Sequence, residues 1–446
     1  MKVIVIGCTH AGTAAVVNIK KMDPEAEVVV YERNDNISFL SCGIALYVGG
    51  VIKDSDGLFY NSPEKLSALG VKTHMLHEVN SIDFDNKTVK ITNLETNKTS
   101  TDSYDKLVVA TGSWPIVPPI EGINSKNILL SKNFHHSKQI IEMAKHVNKI
   151  TVIGAGYIGV ELAEAFEMQG KEVTLIDAES RIMPKYLDKE FTDVAEKAFT
   201  DHGIKLALGE KVERFITNKQ NLVSYVETSK SVYETEMVIL CIGFKPNTKL
   251  FADGLNMTPQ GAIIVDEYMQ TSRKDVFACG DCATVYYNPT EETRYIPLAT
   301  NAVRMGTLAG RNIKNLTLKS IGTQGTSGIK IYDWSISSTG LTENVAAERK
   351  INYGTVTIKD NNRPEFMPTY DEVMLKVVFD KDSRLVLGGQ ILSKADMTQT
   401  MNTLSVCLQN KMTVEDLAFV DFFFQPHFNK PWNLLNMAGL AALDVK

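Results

Sequence analysis

The sequence predicts an α/β protein: two Rossmann-like nucleotide-binding domains followed by an α+β third domain. Three observations carry that reading. An apolar run closing on glycine occurs twice, as Val3-Ile4-Val5-Ile6-Gly7 and as Ile150-Thr151-Val152-Ile153-Gly154. Continuous apolar runs of this length suit parallel strands buried on both faces. Each run is followed by small residues, a helix-like stretch and a second apolar strand ending in an acid. These second strands are Val28-Val29-Val30-Tyr31-Glu32 and Val173-Thr174-Leu175-Ile176-Asp177. Each half also has a later strand closing on glycine, at 107–112 and 238–243. Two βαβ units therefore stand in tandem.

The size agrees, since 446 residues exceed one ordinary core and suggest about three domains. Apolar residues make up 44% and charged residues 22%, the balance of a soluble globular chain. The net charge of −6 gives no reason to expect a nucleic-acid partner or an anionic membrane. The first strand begins directly after Lys2, leaving no room for a signal peptide. No apolar run approaches the ~18–20 residues that span a bilayer. Cys8, Cys42, Cys241, Cys279, Cys282 and Cys407 are too sparse for a disulfide framework, so a reducing cytoplasm is expected.

The first domain is expected over 1–118, the second over 119–245, and a return to the first over 246–321. Trp114-Pro115 through Pro118-Pro119 reads as a stiff linker, because proline restricts itself and its predecessor. Asp275-Val276-Phe277-Ala278-Cys279-Gly280-Asp281 is a short strand running into a Gly-Asp turn. From 322 to 446, β-rich segments such as 373–379 and 385–392 give way to amphipathic helices. The chain then enters an aromatic loop, Asp421-Phe422-Phe423-Phe424-Gln425-Pro426-His427-Phe428. Its apolar density suits an oligomer interface, and this third region reads as a dimerisation domain.

Gly154-Ala155-Gly156-Tyr157-Ile158-Gly159 stands between a strand and a helix, the context that gives a G-x-G-x-x-G its meaning. The first glycine permits the tight turn, the second admits a pyrophosphate, and the third lets helix and strand pack closely. The helix N-terminus offers unpaired N–H groups to the phosphates. Asp177, about 20 residues on, suits both ribose hydroxyls and repels a 2′-phosphate, so NADH is expected. Arg181 and Lys185 follow closely and leave NADPH tolerance open. The first copy, Gly7-Cys8-Thr9-His10-Ala11-Gly12, has Thr9 where the second glycine belongs, and Glu32 takes the acid's place. Gly280-Asp281 suits the ribityl and phosphate part of a flavin; an ordinary turn is the plainer alternative.

Ser38-Phe39-Leu40-Ser41-Cys42-Gly43-Ile44 reads as a helix start. Ser41 as N-cap would put Cys42 in the first turn, where the helix dipole lowers a thiol's pKa. A small buried core cysteine is the commonest alternative, and position alone favours it. The ordering of Gly7 and Gly12, Glu32, Cys42, Thr111-Gly112, Gly154 and Gly159, Asp177 and Gly280-Asp281 resembles the pyridine nucleotide–disulfide oxidoreductase superfamily. The motifs at 7–12, 38–43 and 423–433 are similar to those of its NADH oxidase / NADH peroxidase branch, and the match covers essentially the whole chain. Segments 112–118, 181–186 and 297–304 look most like water-forming NADH oxidases.

The resemblance implies a glutathione-reductase-type fold and a homodimer, with pairing of dimers into tetramers left open. It implies FAD on Gly7, Thr9, Gly12, Glu32, Arg33, Cys42, Thr111, Gly112, Gly280, Asp281, Ala299 and Thr300. It implies NADH on Gly154, Gly156, Tyr157, Ile158, Gly159, Asp177 and Gly243. Dithiol relatives have a second cysteine where this chain has Tyr47, so a thiolate/sulfenic acid cycle at Cys42 is implied. His10 matches the family's active-site histidine; a helix-start histidine bonded to backbone is the alternative. Cys279 and Cys282 flank the Gly-Asp turn and lack the partners of a metal set, so no metal is expected. His74, His77, His135 and His136 read as surface or core residues. His427 lies in a loop that approaches the partner subunit's flavin and cysteine in that family.

The implied reaction passes hydride from NADH to FAD, and reduced flavin with dioxygen gives a flavin peroxide that releases hydrogen peroxide. Cys42 thiolate then reduces that peroxide with His10 assisting, and a second NADH restores the thiolate. Dioxygen thereby takes four electrons and becomes two waters. NADH peroxidase shares Cys42 and His10 and is the nearest alternative. A coenzyme A disulfide reductase is less favoured, because Phe424, His427 and Phe428 stand where its tyrosines are expected. A redox sensor signalling through Cys42 is the non-enzymatic alternative.

Overall fold

The computed structural model describes residues 1–445. In the first domain, strands Lys2–Ile6 and Glu27–Glu32 adjoin in a five-stranded sheet with Lys106–Val109, Val276–Ala278 and Val71–Met75. All of its pairings are parallel. Helix His10–Met22 and the antiparallel strands His77–Asp83 and Thr88–Asn93 pack into one core with it, and Val3, Ile4, Val5, Val28, Leu107 and Val108 are all fully buried. Each such side chain contributes about 1.5–3 kcal/mol on burial, which is why these strands read as unbroken apolar runs. Helix His10–Met22 packs against helix Ala299–Asn312, which brings the later part of the chain back to this domain. A Cβ at Gly306 would lie 2.1 Å from the Ala11 carbonyl oxygen, so the helices cross at backbone contact.

The second domain repeats the plan, with strand order Lys205–Leu208, Glu172–Asp177, Lys149–Ile153, Met237–Leu240, Ile128–Leu130, again parallel. Helix Tyr157–Glu167 follows its glycine loop. The proline-rich segment at 114–119 differs from a plain linker at its start. Ser113–Pro115 pairs antiparallel with Phe244–Pro246, Trp114 opposite Lys245, so the two crossings between domains are bonded as one ribbon. Both prolines sit in a two-stranded ribbon, where proline's missing N–H is tolerated at the edges.

The third domain is a five-stranded antiparallel sheet, ordered Ser327–Ile331, Trp334–Gly340, Val386–Ser393, Glu372–Asp380, Tyr353–Asn361. Helices Gln399–Gln409, Val414–Phe419 and Leu434–Leu443 complete its core. It docks on the second domain through buried Lys376, whose ammonium meets Asp188 at 3.2 Å, Glu190 at 2.7 Å and Glu343 at 2.5 Å. The aromatic loop leaves Phe423, Phe424, Phe428 and nearby Trp432 exposed on the single chain. No helix among the described residues is long and apolar enough to cross a membrane.

Candidate active site

The carboxyl ends of both parallel sheets open onto one cleft of about 660 Å³. The first domain lines it with Gly7, Thr9, His10, Glu32, Arg33, Cys42, Thr111, Gly112, Gly280, Asp281 and Ala299. The second adds Gly156, Tyr157, Ile158 and Gly243. Gly12, Gly154, Gly159, Asp177 and Thr300 do not line it, and the glycines among them act by shaping the loops. Gly7 and Gly154 take φ of +89° and +104°, which side chains rarely adopt. A Cβ at Gly12 would lie 1.9 Å from the Gly7 carbonyl oxygen, and one at Gly159 1.7 Å from that of Gly154. A Cβ at Gly156 would meet nothing within 4 Å, which explains how the matching place in the first loop holds Thr9.

The two acids do the same work in each half. Glu32 Oε2 accepts the Cys8 N–H at 2.8 Å, and Asp177 Oδ2 accepts the Ala155 N–H at 2.5 Å. Each carboxylate thus latches the residue after its loop's first glycine. The second oxygens accept the N–H of Asn34 and of Glu179. Burial raises the pKa of Glu32, against the pull of its hydrogen bonds.

Cys42 is held mainly by the second domain. Phe39, Phe59 and Phe134 form a cluster with ring centroids 5.0–5.6 Å apart. Ile44 and Val48 pack in the core that contains helix Tyr157–Glu167, and Gln169 Nε2 donates to the Val48 carbonyl at 2.6 Å. Ser38, at φ +57°, turns the chain and donates its N–H to the Cys8 carbonyl at 2.9 Å. That bond ties the cysteine segment to the first glycine loop.

The expected helix start needs correction. Ser41–Gly43 is a 3-10 turn whose cap position is Leu40, and Ser41 caps nothing. The α-helix, Ile44–Val48, begins beyond Cys42 and is five residues long, too short for a strong dipole. Cys42 is exposed to the cleft, yet its thiol pKa is raised: desolvation by the cleft walls and the charges of Glu161 and Asp281 outweigh Lys132 and the cysteine's own N–H.

His10 opens helix His10–Met22, yet its Nδ1 lies 3.1 Å from the Tyr60 hydroxyl and makes no helix-start backbone bond. Its Nε2 is buried without a partner among the described residues. Burial lowers its pKa, so the ring is neutral near pH 7. Cys279 and Cys282 are both buried, with Cys282 Sγ donating to the Cys279 carbonyl at 3.2 Å. His77 lines the cleft, and His74 stacks on Tyr31. His135 pairs with Asp35, and His136 packs on Trp114. His427 is bonded to Gln425 within its own exposed loop and lies outside the cleft.

Sequence reasoning missed two charged residues here. Lys132 Nζ donates to Ser113 Oγ at 2.9 Å and Asp281 Oδ2 at 3.2 Å, and lies 4.4 Å from the centroid of the Phe244 ring. A lysine just past the parallel strand Ile128–Leu130 was the available signal, since such strand ends bind ligands. Glu161 lines the cleft from helix Tyr157–Glu167, and burial with the charge of Glu164 pushes its pKa up to about 7. Nothing in the sequence singles it out from Glu164 and Glu167 on the same helix. Glu161→Gln removes a negative charge facing Cys42, so the thiol pKa falls. Iodoacetamide should then alkylate Cys42 about 3–10-fold faster at pH 8. An unchanged alkylation rate would show that the two groups do not interact.

Comparison with known proteins gives a consistent picture. The model of the pyridine nucleotide-disulphide oxidoreductases matches residues 1–306, and that of their dimerisation domain matches 326–434. An NADH oxidase of Enterococcus faecalis is 56% identical over all of both chains. A solved water-forming NADH oxidase from Lactobacillus brevis, bound to NADH, is 54% identical at a TM-score of 0.98, covering 99% of this chain and 98% of that one. An NAD(P)H coenzyme A polysulfide/persulfide reductase of Pyrococcus horikoshii is 35% identical, covering 97% of this chain and 96% of the relative.

Proposed function

Because this chain belongs to the pyridine nucleotide-disulphide oxidoreductases, we propose that it is an FAD-dependent NADH oxidase that reduces dioxygen to water. The observation that carries this reading is the setting of Cys42. It lines the cleft shared by both glycine loops, with His10 in the same cleft and Tyr47 where a second thiol would complete a disulfide.

The cleft fits a flavin dinucleotide. A Cβ at Gly112 would meet only open space, and the first glycine loop, Glu32 and the Gly280-Asp281 turn line one continuous volume. Bound FAD supplies hydride acceptance from NADH and electron delivery to dioxygen. The second loop and Gly243 hold NADH, and Asp177 disfavours a 2′-phosphate by charge. Asp281, fixed by Ser113 and Lys132, shapes the flavin end of the cleft. Lys132 also favours the thiolate of Cys42.

Cys42 then carries the second half of the reaction. Its sulfur attacks one oxygen of hydrogen peroxide, the O–O bond breaks, and the sulfur becomes sulfenic acid as hydroxide leaves. His10 protonates or hydrogen-bonds that hydroxide as it forms water. A second NADH supplies the electron pair that returns the sulfenic acid to thiolate and releases the second water. The protein is a cytoplasmic homodimer in this reading, joined through the third domain and its exposed aromatic loop. An oxygen electrode with peroxide quantification tests it: one dioxygen should disappear for every two NADH, with no peroxide accumulating. Stoichiometric peroxide from the wild-type enzyme would refute the Cys42 step. NADH oxidation that required added peroxide would make it a peroxidase.

A further inference from the structure

We propose that Tyr60 is a positioning residue that sets which nitrogen of His10 carries the proton; the inference rests on the reading of His10 as the group that meets the leaving hydroxide. Tyr60 follows the 3-10 turn Ser55–Leu58 and is 50 residues from His10 in sequence. The two rings nevertheless lie parallel, 5.8 Å apart and 4° from coplanar orientation. The tyrosine hydroxyl is 3.1 Å from His10 Nδ1 and 3.3 Å from the Thr9 carbonyl oxygen.

A phenol has one proton to give, and a neutral imidazole has one N–H. Two arrangements satisfy the contact. In one, Tyr60 donates to Nδ1 and the imidazole proton sits on Nε2. In the other, Tyr60 donates to Thr9 and accepts from Nδ1–H, which leaves Nε2 bare. Distance decides between them. An O–H···O bond spans about 2.5–3.0 Å, so 3.3 Å to Thr9 is long, whereas 3.1 Å to a ring nitrogen is within ordinary range. Tyr60 is nearly half exposed, yet desolvation of its hydroxyl pushes the pKa up to about 12, so the hydroxyl keeps its proton. Nε2, buried and without a partner among the described residues, is then the N–H reserved for the substrate oxygen. The parallel stack holds the ring in that orientation.

Tyr60→Phe keeps the ring and removes only the donor, and the sign of its effect discriminates the two arrangements. Without a donor on Nδ1, that nitrogen takes up a proton more easily and the His10 pKa rises. The acid limb of the peroxide-reducing step should move to higher pH by about half to one unit. The opposite arrangement predicts a move to lower pH, because the imidazolium would lose an acceptor. The measurement uses FAD-loaded enzyme reduced anaerobically with NADH and mixed with hydrogen peroxide between about pH 5 and 8. The rate of NADH-driven flavin reduction, taken on the same samples, reports loading and folding. His10→Gln is run beside it and should slow the peroxide step at least about tenfold. If His10→Gln slows that step while Tyr60→Phe leaves the limb in place or moves it down, the role of Tyr60 is overturned and that of His10 stands. If His10→Gln has no effect, both fall.

Discussion

Cys42→Ser should turn the enzyme from a producer of water into a producer of hydrogen peroxide while NADH oxidation continues. Serine keeps the shape of the side chain with a smaller atom, but its hydroxyl has neither the thiol's nucleophilicity nor a stable oxidised state, so no sulfenic acid forms. Nothing else in the cleft replaces it. Cys241 and Cys279 also line the cleft, but burial pushes the Cys241 thiol up to about 12 and raises that of Cys279 well above its usual value, so their thiolates are scarce near neutrality. Dioxygen consumed per NADH should double, and peroxide yield should rise from near zero to about one per NADH. Catalase added to the assay should return half of the consumed oxygen for the variant and none for the wild type. Water formation that survives in the variant would remove Cys42 from the mechanism.

Lys376→Met should destabilise the protein by about 3 kcal/mol without touching the cleft. Lys376 and Asp188 are both about 3% exposed, whereas Glu190 and Glu343 are a third open to water. Burial works against the ammonium, but its bonds to Glu190 and Glu343 and the charge of Asp188 raise its pKa. Removing it lets the two glutamates turn to solvent and strands Asp188. The cost falls at the low end of what a stranded buried charge exacts, because Gln390 Nε2 and the N–H groups of Glu343 and Asn344 remain on that carboxylate. Guanidinium unfolding at fixed, saturating FAD is the measurement, since ligand concentration shifts apparent stability. A loss below about 1 kcal/mol would mean the ion cluster is neutral to stability. Because the raised pKa belongs to a base, this stabilisation is complete at neutral pH and is lost only as pH climbs past the lysine's ordinary value near 10.4.

The two parallel sheets were legible because burial on both faces leaves an unbroken apolar run, and the glycine loops because a Cβ at their first and third glycines would strike backbone. The antiparallel inserts at 77–103 and 212–234 were not, since short, largely exposed strands carry polar residues that also suit loops. Cys42 was found from its flanking motif, but its electrostatics were misjudged. Whether Ser41 caps a helix depends on where Gly43 lets the α-helix begin, and that is set by packing of Ile44 and Val48 on another domain. Lys132, Glu161 and Tyr60 escaped for the same reason: each is far from Cys42 in sequence and joins the site only through tertiary contact. Asp188 and Lys376, nearly 190 positions apart, gave no sequence signal of their partnership.

The paired latches at Glu32 and Asp177 bear on any redesign of nucleotide preference. Asp177 is the natural residue to change when a 2′-phosphate is wanted, yet its carboxylate is also the acceptor that anchors the Ala155 amide. An apolar replacement removes that acceptor together with the charge, so the turn that receives the pyrophosphate is then held by its remaining contacts. Asparagine keeps a carbonyl oxygen there while deleting the charge. Retuning therefore acts on the charge and on the loop at once, with cationic substitutions at neighbouring positions supplying the partner that a 2′-phosphate needs.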